Sequence, residues 1–319
     1  LKLKASYGKA GNGRITMSNL TSFQYGWSPG YVYGDNYNFT GGLGENQIPI
    51  NRKTFETSTE TNIGLEARLF DKLDISGEWF YVKREDIMVS SSAQYSDVLG
   101  ILPEAVPAGE VENKGYELGL TWSDQVGDFN YYLSGNFSHY RNKIININEE
   151  FRPYDYMKRE GEMIGQHFGW ESEGFYSDQA DIDNSATSQF GAVQPGDVKY
   201  VDQNGDGVID QFDQVPIGNS FIPEIYYSAS LGLEYKGLEL NATFQGNGNT
   251  TAYLSQAHVF WPLQGNNNMS TWYDNYWTPE NKSNAELPRL TTESNDNNFR
   301  KNNIWLRDNS FLKLRYAQL

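Results

Sequence analysis

Apolar and polar residues alternate strictly over whole strand lengths of this chain, the period of a β-strand whose two faces meet different surroundings. In "LELNATFQ", Leu238, Leu240, Ala242 and Phe244 alternate with Glu239, Asn241, Thr243 and Gln245. In "YSASLGLEY", Tyr227, Ala229, Leu231, Leu233 and Tyr235 share one face, with Ser228, Ser230, Gly232 and Glu234 on the other. The same pattern places Ile63, Leu65, Ala67 and Leu69 together, then Leu73, Ile75, Gly77, Trp79 and Tyr81. It recurs at Tyr116, Leu118, Leu120 and Trp122, at Phe129, Tyr131, Leu133, Gly135 and Phe137, and at Leu1, Leu3, Ala5 and Tyr7.

Connections of two kinds take turns between these strands. "DK" at 71–72, "DQVG" at 124–127 and "KG" at 236–237 are tight turns. The stretches 9–53, 90–110, 149–166, 176–221 and 251–308 are long, polar and rich in Gly, Asn, Asp and Pro. Long structureless connections are unusual in a compact soluble domain. Tight turns at one end and long loops at the other fit an all-β fold, an antiparallel transmembrane β-barrel segment with long extracellular loops. The competing reading is a soluble antiparallel sandwich, in which Leu65, Leu231 and Leu240 would sit in a sealed core instead of facing lipid. Two features favour the barrel. Small residues such as Ala67, Gly77, Ala229 and Ala242 recur on the apolar face, and its aromatics Trp79, Tyr81, Trp122, Tyr227 and Tyr235 gather near strand ends, as an interfacial girdle does.

Composition sharpens this. No apolar run approaches the ~20 residues of a membrane helix, which leaves strands as the only way across a bilayer. The 15% aromatic content is high for so polar a chain and suits either interfacial girdles or carbohydrate-facing surfaces. A net charge of −16 argues against nucleic acid, whose phosphates need clustered Lys and Arg. With no cysteine, disulfides and thiolate metal sites are excluded. The chain opens on "LKLKASYG" with no initiating Met and reads as a piece of something longer.

One motif carries metal chemistry. "DQNGDGVIDQFD" at 202–213 has the spacing of a calcium loop, with Asp202, Asn204 and Asp206 at positions 1, 3 and 5, and Gly207 at the sharp turn. Val208 offers a backbone carbonyl at position 7, Asp210 stands at 9 and Asp213 at 12. The shorter Asp in place of the usual closing Glu implies a loop that draws its last ligand closer, and the stretch resembles dockerin-type loops. The expected ion is Ca2+ or a similar divalent cation in a structural role; the alternative is a solvated turn that holds nothing.

Catalytic constellations are not found. His139, His167 and His258 form no zinc-binding pair, and there is no nucleophile elbow, P-loop or dinucleotide fingerprint. In the 251–280 stretch Trp261, Trp272, Tyr273, Tyr276 and Trp277 stand among Asn and Gln. Flat rings beside amides suit a sugar or a peptide side chain, which makes Trp261, Trp272, Tyr273 and Trp277 candidate substrate contacts. The alternative is that they pack the loop onto itself or onto a partner. Trp170, in "HFGWESEGFY", reads as part of a short strand with a packing or girdle role.

Six stretches in order resemble the SusC/RagA-type TonB-dependent transporters of the Bacteroidetes outer membrane. They are "LKLKASYGKAGN", "ETNIGLEARLFDKLDISGEWFYVKREDI", "VENKGYELGL", "KYVDQNGDGVIDQFD", "YWTPENKSNAELPRL" and "IWLRDNSFLKLRYAQL". The resemblance covers residues 1–319 and implies a barrel of about 22 strands around a plug. It also implies a SusD-like surface lipoprotein as partner, energy delivered through TonB, and import of oligosaccharides or peptides. About ten barrel strands are expected here, with the cation loop inside an extracellular connection at 176–221. The alternative function is a soluble secreted calcium-binding β-protein, an adhesin or lectin.

Overall fold

The computed structural model describes residues 1–13, 24–47, 55–90, 98, 105–255, 261–263, 268–269 and 273–319. Along the first half of the chain run β1 (Lys2–Asn12), β2 (Gln24–Tyr33), β3 (Asn38–Gln47), β4 (Glu56–Leu69), β5 (Leu73–Val89), β6 (Val106–Val126) and β7 (Phe129–Asn146). Six short strands follow: β8 (Phe168–Trp170), β9 (Ser172–Phe175), β10 (Thr187–Ser188), β11 (Val198–Tyr200), β12 (Val208–Ile209) and β13 (Gln214–Pro216). The chain then forms β14 (Ile225–Tyr235), β15 (Leu238–Gly248), β16 (Thr251–Tyr253), β17 (Leu306–Asp308) and β18 (Phe311–Gln318).

Eight of these strands make one sheet in the order β1-β4-β5-β6-β7-β14-β15-β18, every neighbour antiparallel. The sheet is thus narrower than the ten or so strands expected. Residues 168–175 form short strands among the loops instead of crossing the sheet, and β2 pairs only with β3 as a separate hairpin. Tight turns close β4–β5, β6–β7 and β14–β15 at one end. The last uses Lys236 and Gly237 at φ 46° and 87°. Two left-handed residues in a two-residue loop are what the right-handed twist of a hairpin requires. The β6–β7 turn falls at Gly127 and Asp128, slightly later than the polar run alone suggests, because β6 stays extended to Val126.

Both faces of the sheet follow the alternation. On one face Leu65 is 40% exposed, Leu118 49% and Leu240 38%, with no second sheet packed over them among the described residues, and Leu231 is half-buried. These residues therefore do not form a sealed core, and the soluble adhesin or lectin alternative falls with that observation. The other face is concave. Depressions there are lined by Lys2, Glu66, Arg68, Asp74 and Asn136, and by Lys4, Glu78, Glu117 and Ser138. Arg68 binds Asp74 through two hydrogen bonds of 2.8 and 2.7 Å, and Lys4 pairs with Glu66. Water screens such exposed pairs, so they shape the surface more than they stabilise it. Tyr132 lies flat across Gly232, donating its hydroxyl to Asn241 Oδ1 at 3.3 Å, where any Cβ would stand inside the ring.

An apolar convex face and a charged concave face are the lipid and water sides of a barrel wall. On β5 the apolar positions from Leu73 to Tyr81 cover about 20 Å of height at ordinary rise and tilt. Aromatics mark both margins: Trp79 and Tyr116 towards the long loops, and Phe129, Tyr131 and Tyr235 in ring contact at 5.8 and 6.4 Å beside the turns.

Leu118→Arg is expected to destabilise the folded barrel by about 2–4 kcal/mol, the cost of a cation on the lipid face. Glu117→Gln, its concave-face neighbour, is expected to stay within about 0.5 kcal/mol. Urea unfolding in lipid vesicles followed by heat-modifiable gel mobility measures both.

Candidate functional site

The buried core of the molecule lies in the connections between strands. One cluster joins Trp170, Val198, Tyr200 and Ile209, with Phe175, Phe190 and Ile304 against it; a second joins Tyr273, Leu287 and Trp305, with Tyr253, Trp261 and Phe299. The described residues of the long stretches 176–221 and 251–308, expected to carry no obvious structure, share this core. The short strands pair as β9–β11, β8–β13 and β16–β17.

A buried polar network locks the two connections together. Asp197 is fully buried, and its Oδ1 accepts from Arg289 Nε at 2.7 Å, Asn298 Nδ2 at 2.9 Å and Asn295 Nδ2 at 3.0 Å. Its Oδ2 accepts from the Gln194 backbone N–H at 2.7 Å. Asn298 Oδ1 accepts from the Val198 N–H, Asn297 Nδ2 donates to the Val198 carbonyl, and Trp305 Nε1 donates to the Asn298 carbonyl. Burying a carboxylate costs several kcal/mol unless it is paired and fully hydrogen-bonded. Here both oxygens are met, and within the polar "NDNN" run at 295–298 Asn297 and Asn298 are interior while Asp296 stays exposed.

The 202–213 loop is curled as its spacing predicts. The Asp202 carboxylate accepts from the N–H groups of Gly205 at 2.7 Å and Gly207 at 2.8 Å, Asn204 Oδ1 from Asp206 N–H at 3.0 Å, and Asp206 Oδ1 from Val208 N–H at 2.9 Å. Asp213, fully buried, accepts from Gln203 N–H and Asp210 N–H, both at 2.8 Å, and so ties the two ends of the loop. Burial foremost, with the Asp202 and Asp210 carboxylates adding to it, pushes the Asp213 carboxyl above its ordinary range. Thr187 and Gln189 N–H groups take the carbonyls of Gly207 and Ile209, and strand alternation turns that of Val208 the opposite way. Trp170 Nε1 donates to the Asp210 carbonyl at 2.7 Å and Tyr156 to that of Phe212 at 2.8 Å, holding the loop against the core. Among the described residues no three His, Asp or Glu side chains converge closely enough to hold an ion by themselves. A cation here would depend on the mixed set of Asp202, Asn204, Asp206, Asp210 and Asp213 with the Val208 carbonyl, the oxygen-rich donor set that calcium takes.

The candidate aromatic contacts fare differently. Tyr273 is fully buried, its hydroxyl donating to the Pro288 carbonyl at 3.0 Å, and Trp277 is buried over Gly196. Their rings therefore pack the loop layer and are withdrawn as substrate platforms, because neither presents an open face. Trp261 is half-buried against Phe299, with ring centres 5.2 Å apart and its indole N–H unpartnered. Trp272 and His258 lie outside the described residues. Trp170 has a packing role, and His139 stacks on Tyr116 at 5.4 Å on the convex face.

A feature the sequence reading missed lies where the inner wall meets the loops. On the concave face the charged residues give way to Phe80, Val82, Val111 and Tyr140, and Tyr140 stacks on Tyr226 with ring centres 5.7 Å apart and planes 13° from parallel. Above them a cavity of about 300 Å³ is lined by Val82, Arg84, Ile87, Val111, Asn113, Asn142 and Ile164. Ile164 comes from the loop, its N–H donating to Asn142 Oδ1 at 2.7 Å, so wall and loop build the cavity jointly. The Asn113 side-chain oxygen, Oδ1, is buried there without a hydrogen-bond partner. The available signal was parity: Phe80 and Val82 are apolar on the face that Asp74, Ser76, Glu78 and Arg84 of the same strand make polar.

No family model matches the chain. Among curated relatives it is 28% identical over 304 residues to the TonB-dependent receptor P3 of Formosa agariphila, covering 90% of this chain and 29% of that protein. It is 26% identical over 336 residues to the TonB-dependent receptor P26 of the same organism, covering 100% of this chain and 32% of that one. Among solved structures, the RagAB peptide transporter superposes with a TM-score of 0.71 at 21% identity, over 99% of this chain and 33% of that one. The RagAB peptide importer in its closed-closed state gives 0.69 at the same identity. The chain spans about a third of the length of the relatives it matches.

Asp197→Ala is expected to cost the loop layer about 3–5 kcal/mol by stranding the Arg289 guanidinium. Limited proteolysis should then cut within 176–308 while the strands stay intact. A second expectation concerns pH. Burial holds the His167 imidazole below its ordinary value of 6.5, so the opened loop takes up a proton that the closed loop refuses. Loop stability should be constant above about pH 6.5 and fall below it; hydrogen exchange measured down to about pH 5 should show the loss, and His167→Gln should abolish it.

Proposed function

We propose that this chain is part of a TonB-dependent receptor of the bacterial outer membrane, and that the receptor carrying it imports large nutrients, peptides before oligosaccharides, with a SusD-like lipoprotein as surface partner. The observation that carries the reading is the pairing of a lipid-facing wall with a layer of folded connections on one side only, above a polar interior. The relation to the RagAB peptide transporter supports it through the fold. The peptide preference rests on the inner-wall cavity, where Val82, Ile87, Val111 and Ile164 offer aliphatic walls and Asn113 an unused acceptor. An aliphatic side chain beside a backbone N–H fits those walls, whereas a sugar would leave hydroxyls facing methyl groups.

Uptake of labelled peptides and of labelled oligosaccharides by cells with and without the receptor tests this. Peptide uptake should depend on the receptor and drop about tenfold, equivalent to 1.4 kcal/mol, in Val111→Glu. Receptor amount and resistance to unfolding in cold detergent should not change. Receptor-dependent uptake of oligosaccharides alone would overturn the peptide preference.

The 202–213 loop binds Ca2+ in this reading, and the ion is structural. Its ligands are Asp202, Asn204, Asp206, Asp210 and Asp213 with the Val208 carbonyl. The curl of Asp202, Asn204 and Asp206 around the turn supports the assignment. With calcium about a hundredfold above its dissociation constant the ion stabilises the loop by roughly 2.7 kcal/mol. Chelation, or Asp202→Ala with Asp206→Ala, should therefore speed nicking within 176–221 by up to about a hundredfold while the barrel stays intact. Equal nicking with and without chelator would remove the calcium assignment.

A further inference from the structure

Two cations stand directly across from one another on the convex face, just beyond its aromatic margin on the long-loop side. Lys114 of β6 pairs in register with Arg141 of β7, and Lys143 follows on the same face. One step towards the lipid, Tyr116 and His139 stack at 5.4 Å, and below them Leu118 opposes Phe137. Like charges opposite each other destabilise a strand pair, so this arrangement needs a reason. The acids on this face supply little of it. Glu224 comes within 3.7 Å of Arg141 Nε, leaving the outer nitrogens of the guanidinium free. Glu112 lies in register with Lys143, but its carboxylate receives the Tyr81 hydroxyl at 3.2 Å. Glu85 and Glu110 are taken by Lys83 at 3.0 and 2.8 Å. Among the described residues Lys114 and Lys143 hold no ion pair, and both are exposed.

We propose that Lys114, Arg141 and Lys143 form a binding site for the phosphate of a phosphorylated glycolipid in the outer leaflet. The proposal rests on the outer-membrane placement and concerns the lipid side of the wall, not the import route. Cross-strand neighbours lie about 5 Å apart at Cβ and the next residue on the same face about 7 Å along the strand, a triangle that closes around one phosphate. Arginine supplies a planar fork for two oxygens and the lysines supply point charges. The site sits at headgroup height, directly above Leu118 and Phe137, so the acyl chains of a lipid anchored there would lie along the apolar band. A free anion gains nothing from that band, which is why the lipid is the expected occupant.

Native mass spectrometry of the intact receptor, purified in mild detergent and titrated with monophosphoryl lipid A, tests the site. Dephosphorylated lipid A and inorganic phosphate serve as competing probes. The triple variant Lys114→Gln, Arg141→Gln, Lys143→Gln is expected to bind monophosphoryl lipid A about a hundredfold more weakly. Lys236→Gln, which removes a charge from the turn at the opposite end, should leave binding unchanged. Removing the phosphate from the lipid should cost wild type as much as the triple variant loses. Equal binding by wild type and triple variant, or equal binding of the dephosphorylated lipid, would overturn the proposal. So would displacement by inorganic phosphate at concentrations equal to the lipid's. Cold-detergent resistance of each variant reports separately on barrel insertion, so a failed membrane reading is distinguishable from a failed lipid site.

Discussion

Hydrocarbon offers a backbone amide nothing to bond to, and every other feature of this chain is arranged around that fact. A strand in lipid must give each N–H and C=O to a neighbouring strand, so the eight long strands pair in one continuous antiparallel ladder. Once the ladder is fixed, the two-residue period leaves no freedom: one set of side chains meets lipid and the other meets water. The convex face can be apolar without a core behind it because the membrane takes the place of a core. That is why Leu65, Leu118 and Leu240 stand exposed on that face.

The connections face the opposite problem. Beyond the bilayer they are surrounded by water and must recover the entropy of ordering long stretches of chain. They do so by building the only substantial buried clusters among the described residues, around Trp170 and around Trp305. Asp197, Asn297, Asn298 and Asn302 are buried with them, each meeting a defined partner. A purely apolar cluster would hold the two connections together in many registers. A buried carboxylate with four donors at fixed positions is satisfied in one, so the network selects the arrangement that the apolar contacts stabilise.

This division explains what could be read from the sequence. Alternation identified the strands, their outward residues and the end at which the tight turns lie, because period and face are set locally. The curl of the 202–213 loop was legible for the same reason, since each Asx side chain bonds a backbone group a few residues away. The loop core was not, because its partners are about a hundred residues apart and its most buried members include Asn and Asp, which composition assigns to the surface. Tyr273 and Trp277 looked like open platforms for the same reason: an aromatic among amides has one signature whether it faces solvent or a buried amide network. The short strands at 168–175 belong to the connections, since three and four residues cannot cross a membrane.

The inner-wall cavity joins the two regimes. Its strand residues, Val82, Val111 and Asn113, are held in place by the ladder that the membrane enforces, while Ile164 arrives from a connection free to vary in length and sequence. The anchor is short: Ile164 N–H to Asn142 Oδ1, and Gly161 N–H to the Ile144 carbonyl two residues along the same strand. A change in the 147–166 connection can thus reshape the cavity at its loop side without disturbing a single ladder bond. Selectivity built this way separates from stability, since the wall tolerates little and the loop tolerates much. Apolar residues at inward-facing positions cost solvation in a wet lumen. Here they occur beneath the loop layer, where a neighbouring loop or a bound guest can cover them.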